Sequence, residues 1–132
     1  MLKPFPITES QREIWLSHQL SSEAACSYNE SFSLSLIGSF NLQAFKQAVQ
    51  DLIQRHESLR LIFDAHGESF FVLPELTIDI PLLDYLPLTP EAKQQQFNEL
   101  LHQEATSFFN VEQGPLLRIK IIRWDEQKHI IL

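Results

Sequence analysis

The chain has 132 residues, 44% of them hydrophobic and 20% charged. This average globular usage excludes a disordered or fibrous polymer and fits one domain, or part of a larger one, able to bury roughly 65–70% of its unfolded surface. Ten basic against seventeen acidic residues give −7 at neutral pH, and Cys26 is the single cysteine; the first argues against general nucleic-acid binding, the second against a disulfide framework or Cys-rich zinc site.

Thr8 with Gln11 three residues on has the capping-box pattern and predicts a helix over Glu9–Leu20, with Gln11, Ile14, Trp15 and His18 along one stripe. Ser31-Phe32-Ser33-Leu34-Ser35-Leu36 alternates strictly and predicts a half-buried strand. Gly38 ends it. Asn41 is the expected cap of a helix in which Leu42, Phe45, Val49, Leu52, Ile53 and His56 recur at three- and four-residue spacing.

Leu59, Leu61 and Phe63 alternate with Arg60, Ile62 and Asp64 and predict a strand. Asp64-Ala65-His66-Gly67 supplies turn chemistry, and 70–73 reads as the returning strand of a hairpin. Residues 74–88 contain Pro74, Pro81 and Pro87 and read mainly as an extended connection. Thr89-Pro90-Glu91 marks a helix start, followed by a stripe of Phe97, Leu101, Ala105 and Phe108.

Gly114-Pro115 ends that region, and Leu117, Ile119 and Ile121 alternate with Arg118, Lys120 and Ile122 as another strand. Asp125-Glu126-Gln127 turns the chain into a further strand at 129–132. No repeat, low-complexity tract or linker interrupts residues 1–132, so they read as one structural unit of the α+β class, a mixed αβ sandwich. An apolar strand end with no polar terminator predicts that the fold continues past Leu132. No apolar run reaches bilayer length and the first residues lack a signal-peptide core, so the expected compartment is the cytoplasm, without membrane contact.

The residues offer little unaided chemistry. Gly38, Gly67 and Gly114 are too far apart for a phosphate-cradling loop, and no G-x-S-x-G elbow exists. His56-Glu57 begins like a zinc-protease helix, but Arg60 stands where the second histidine belongs. His102 and Glu104 are too few for a metal site. Of the remaining histidines, His18 and His56 sit at helix ends, His66 in a turn and His129 at a strand entry; none has a carboxylate orienter by spacing. Arg60 has two readings, a solvent-facing arginine or a buried ion-pair donor whose guanidinium stays charged away from water. Arg55, Arg118 and Lys120 read as exposed charges, and Trp15 and Trp124 as packing residues.

Several segments, in order, match one family. Ile7-Thr8-Glu9-Ser10-Gln11-Arg12-Glu13-Ile14-Trp15-Leu16 resembles the opening motif of nonribosomal peptide synthetase condensation domains. Tyr28-Asn29 and then residues 34–38 resemble the strand that follows it. Arg55-His56-Glu57-Ser58-Leu59-Arg60-Leu61-Ile62-Phe63 resembles the second motif, with Leu61 in place of the usual threonine. Phe109-Asn110 with Gly114-Pro115-Leu116-Leu117-Arg118 resembles the later Phe-x-x-x-x-Gly-Pro-Leu-Leu-Arg stretch.

The resemblance implies a chloramphenicol-acetyltransferase-like fold of two lobes, of which these residues would be an incomplete N-terminal lobe, roughly a third of the domain. It implies amide formation between an acyl or peptidyl thioester and an aminoacyl thioester, both riding on phosphopantetheine arms of carrier proteins. No cofactor would be bound directly. The family's His-His-x-x-x-Asp-Gly motif would lie just beyond 129–132, so no residue is carried over as catalytic, and the fragment is expected to be inactive alone. Arg60 inherits a supporting role, pairing with that motif's aspartate; without it, Arg60 is expected to lack its partner.

A lobe without its sister should expose an apolar face and be marginally stable or oligomeric. The alternatives are a fragment of a related acyltransferase, epimerisation, cyclisation or ester-forming domain, and a noncatalytic carrier-docking module. The last would need a basic patch of Arg118, Lys120 and Arg123 to overcome the net charge. Met1 lies just before the first motif, so the expected donor arrives on a separate protein or as a free acyl thioester; residues 22–31 weakly resemble domains that follow polyketide modules.

Overall fold

The structure, a computed structural model, describes residues 2–132; the expectation placed on Met1 lies outside them. Strand β1 (Pro4–Pro6) leads into α1 (Glu9–Leu20) through the capping box read from the sequence. Thr8 N donates to Gln11 Oε1 at 2.8 Å and Gln11 N donates to Thr8 Oγ1 at 3.2 Å, satisfying two of the helix's free N-terminal donors. A short α2 (Ser22–Cys26), capped by Ser21, follows; the sequence pattern does not predict it.

Then come β2 (Leu34–Ile37), α3 (Leu42–Arg55) capped by Asn41, a 3₁₀ turn (Glu57–Arg60), and β3 (Leu61–Phe63). The strand expected from Leu59 is therefore a turn for its first two residues. Asp64 tightens the hairpin by accepting from His66 N and Glu68 N, and β4 (Ser69–Val72) returns. Within the expected connection lies an extra strand, β5 (Leu82–Asp84). Helix α4 (Pro90–Thr106) starts at Thr89 as expected, and β6 (Ile121–Asp125) and β7 (Lys128–Ile131) complete the chain.

Two sheets result. β1, β4 and β3 form a small antiparallel sheet, and a four-stranded mixed sheet has the order β2-β7-β6-β5, with β5 parallel to β6. Alternation splits the larger sheet into two faces. Ile121 and Ile131 pack with Ile80 against Val49 and Ile53 of α3. Ile122 and Ile130 pack with Tyr85 against Leu100 of α4. The sheet is thus sandwiched between α3 and α4, a mixed α+β architecture as the pattern predicts.

Leu100, outside the expected α4 stripe, is the buried residue of that helix, while Phe108 is exposed. The last strand is not frayed: β7 pairs with β2 on one edge and β6 on the other, and Leu132 exchanges hydrogen bonds with Lys120. Among the described residues no helix is long and apolar enough to cross a membrane.

Candidate functional site

Arg60 closes the 3₁₀ turn and is 7% exposed, so the solvent-facing reading is wrong. Its Nε donates to Ile53 O at 3.0 Å, Nη2 to Gln54 O at 3.2 Å, and Nη1 to Pro74 O at 3.2 Å and to Leu73 O. The 3₁₀ turn, unlike a strand, folds the side chain back under the end of α3. There the last-turn carbonyls lack next-turn donors and carry the negative end of the helix dipole. The same fork reaches the segment leaving β4. Its acceptors are backbone carbonyls, not a carboxylate, so Arg60 staples the end of α3 to the exit of β4 with no aspartate partner among the described residues.

An apolar groove of about 450 Å³ opens between α3, β2 and the segment before β6. Its wall includes Phe32, Leu34, Leu36, Val49, Leu52 and Leu117. Leu34 and Leu52 are 52% and 50% exposed and Phe32 75%. Every residue of β2 is exposed, so the half-buried expectation fails on this strand. Its apolar side faces the groove that Phe45, Val49 and Leu52 of α3 also line.

Glu104 and Arg118 also line the groove. Glu104 Oε2 meets Arg118 Nε at 3.0 Å, and Glu104 Oε1 accepts from Lys120 Nζ. Arg118 also donates to Ser107 O at 3.0 Å and lies over the Phe109 ring, 4.0 Å from its centre. Arg118 and Lys120 are therefore half-buried and share one carboxylate rather than standing exposed, while Arg123 faces Asp84 at 3.8 Å. The three cations that a carrier-docking module would need are thus partly compensated by two of the chain's own carboxylates, Glu104 and Asp84. On sequence Glu104 is weighed only as a metal ligand. Its place one turn beyond Leu100 on the packed side of α4 is the usable signal, because a carboxylate there needs a cation.

The histidines are dispersed. His56 is exposed and gives its backbone N–H to Leu52 O, closing α3. His66 and His102 are exposed. His18 Nδ1 lies 2.8 Å from Ile14 O, one turn back in α1. His129 stacks on Phe40 with ring centres 4.7 Å apart. Among the described residues no three His, Cys, Asp or Glu side chains converge on a metal position. Trp124 packs edge-on to Phe97, and Trp15 lies over Gly67, both as packing residues. Burial, and then the Glu99 carboxylate, push the Tyr85 hydroxyl above its usual value.

The model of the condensation-domain family matches residues 2–132. Chondramide synthase cmdD of Chondromyces crocatus is 33% identical over 128 residues, covering 96% of this chain and 3% of its own length. A linear gramicidin synthase of Brevibacillus parabrevis is 35% identical over 129 residues, covering 96% and 2%. This chain thus spans only a small part of these relatives. Among solved structures, the starter condensation domain of rhizomide synthetase RzmA superposes with a TM-score of 0.80 at 23% identity, covering 98% of this chain and 32% of that one. The EpoB cyclization-docking bidomain of Sorangium cellulosum superposes at 0.76 and 19%, covering 97% and 25%.

Proposed function

Because the chain belongs to the condensation-domain family of nonribosomal peptide synthetases, we propose that residues 1–132 are an incomplete N-terminal lobe of an amide-forming domain and act only with its remainder. The reaction joins an acceptor aminoacyl thioester to a donor acyl or peptidyl thioester, both held on carrier proteins in the cytoplasm. The acceptor amine attacks the donor carbonyl carbon. A C–N bond forms, the C–S bond breaks, the amine gives up a proton, and the donor's phosphopantetheine leaves as a thiol.

The match over residues 2–132 carries this reading. The uncovered apolar groove supports it, since a lobe of a two-lobed domain has a face to bury. Within this lobe we assign no proton carrier. Arg60 is a positioning residue, fixing the end of α3 against the exit of β4. The chemistry belongs to the rest of the domain.

The test mixes this chain with a separately produced remainder of a condensation domain and two loaded carrier proteins, and follows the condensed thioester by mass spectrometry. The chain alone should give no product and the reconstituted pair should. Product from the chain alone, or none from a folded pair, overturns the assignment.

A further inference from the structure

We propose that residues 27–33 are a strap latched onto the end of α4, and that Asn29 and Arg118 hold the latch jointly through one shared acceptor, the Ser107 carbonyl. This does not rest on the condensation chemistry.

The latch is built at a helix end. The last carbonyls of a helix have no donors within it and carry the negative end of its dipole. Helix α4 closes on Ser107 in an extended conformation, without the left-handed glycine that often finishes a helix. Side chains from two distant segments meet its carbonyls instead. Arg118 Nη2 donates to Glu104 O at 3.1 Å, Asn29 Nδ2 to Ala105 O at 3.4 Å, and Cys26 Sγ to Thr106 O at 3.3 Å. Ser107 O accepts from Asn29 Nδ2 at 2.9 Å and from Arg118 Nη2 at 3.0 Å, and Arg118 Nη1 reaches Phe108 O at 3.4 Å. Each carbonyl from Glu104 to Phe108 thus has a donor from outside the helix. A carbonyl oxygen has two lone pairs, so the two donors on Ser107 O do not compete. Each fixes the acceptor that the other needs.

A helix end can give its carbonyls to water, so what these bonds chiefly set is the position of the segments that supply them. Residues 29–33 form neither helix nor strand. Between Tyr28 and Ser33 the hydrogen bonds to another segment come from the Asn29 side chain, and Asn29 is half-buried between exposed Tyr28 and Glu30. Across the latch, Arg118 also lies over the Phe109 ring, which ties the exit of α4 to the segment leading into β6. Both parties line the apolar groove: Asn29, Glu30 and Phe32 from the strap, Phe109 and Arg118 from the other side. The pair that latches the strap therefore sets the width of the groove between them.

The experiment follows the isotope-labelled chain by NMR hydrogen exchange. It reads the Asn29 side-chain amide, the Ser27 backbone amide, which donates to Ala24 O, and the Arg118 guanidinium protons. Arg118→Lys keeps a cation beside Glu104 but removes the fork that reaches Ser107 O. It touches nothing in 27–33, yet the Asn29 side-chain amide and the Ser27 amide should exchange about tenfold faster, the worth of one hydrogen bond. Asn29→Asp keeps the shape and replaces the donor by an anion facing carbonyl oxygens. It should in turn speed exchange of the Arg118 guanidinium protons by about tenfold. Amides of α3, outside the latch, should keep their rates in both variants.

The double variant should loosen the strap by less than the two single effects combined, because both act on one carbonyl. Asn29 protons as slow in R118K as in the parent chain, loosening that spreads equally to α3, or effects that simply add overturn the proposal. If R118K does not fold, N29D decides alone: unchanged guanidinium exchange overturns it.

Discussion

Replacing Arg60 by methionine is the most informative change in this lobe, because it keeps the side-chain volume while removing every N–H of the guanidinium. Four carbonyls lose their donor: Ile53 and Gln54 in the last turn of α3, and Leu73 and Pro74 after β4. Hydrogen bonds to a charged group contribute about 1.5–3 kcal/mol each, and a buried carbonyl left unpaired costs about 1–3 kcal/mol. Water can reach part of this set, so two effective losses are the fair count. The expected destabilisation is about 3–5 kcal/mol, a large part of the ~5–15 kcal/mol that holds a domain together.

Arg60→Lys keeps the charge but not the planar fork. It cannot reach both α3 and the β4 exit, so it should fall between the two. Urea unfolding followed by far-ultraviolet circular dichroism measures all three proteins. Arg60→Met within about 1 kcal/mol of the parent chain would refute the clamp. It would put the value of Arg60 in a partner from outside the lobe.

Gly67→Ala builds a Cβ 2.4 Å from the Trp15 ring at a backbone φ of +65°; the clash and strain together should cost about 2–4 kcal/mol, read as a lowered Tm with altered near-ultraviolet dichroism. Burial works against ionisation of Asp64, but the backbone N–H groups of Glu68, His66, Gly67 and Ser69 outweigh it and hold its carboxyl below the ordinary 3.8. The stability this contributes is therefore present above the unfolded-state value and lost as pH falls through the lower folded-state value, so Asp64→Asn should be less stable than the parent at pH 7 and converge with it in acid, as urea unfolding across pH will show. Glu104→Gln leaves Arg118 and Lys120 without their carboxylate; because both cations are partly hydrated the cost should be only about 1–2 kcal/mol, and a thermal melt in added salt should narrow the gap.

Capping chemistry and long periodicity are legible in the residues. Thr8, Asn41 and Thr89 cap their helices by accepting from backbone N–H groups, as their side chains allow, because such bonds are local and need no tertiary partner. The failures share the opposite cause. β5 is invisible in the sequence because three apolar-to-acidic residues become a strand only when β6 lies parallel beside them. β2 reads as half-buried because alternation records where apolar side chains are, not whether a helix reaches far enough to cover them.

Arg60 is ambiguous on sequence for the same reason. Between Leu59 and Leu61 it has the pattern of a strand residue, and only the 3₁₀ turn decides that its side chain runs under α3. Glu104 is read on sequence only as a metal ligand, because its meaning depends on Arg118 and Lys120, which lie on a distant segment. The family resemblance supplies what periodicity cannot, since its motifs encode these long-range partners together.

The geometry of Arg60 also limits what that resemblance can mean for the site. A guanidinium has five N–H groups, and four of them here reach carbonyls of this lobe, leaving one on Nη2. A carboxylate entering from the missing part of a condensation domain could take that one hydrogen bond. A bidentate grip requires two parallel N–H groups, so one carbonyl of α3 or of the β4 exit would have to be released. Assembly of the domain would then loosen one end of the staple as it formed the ion pair. Presence of the Arg-His-Glu-x-Leu-Arg pattern is accordingly evidence for a correctly closed α3–β3 corner, which the lobe needs whether or not any catalytic histidine is attached.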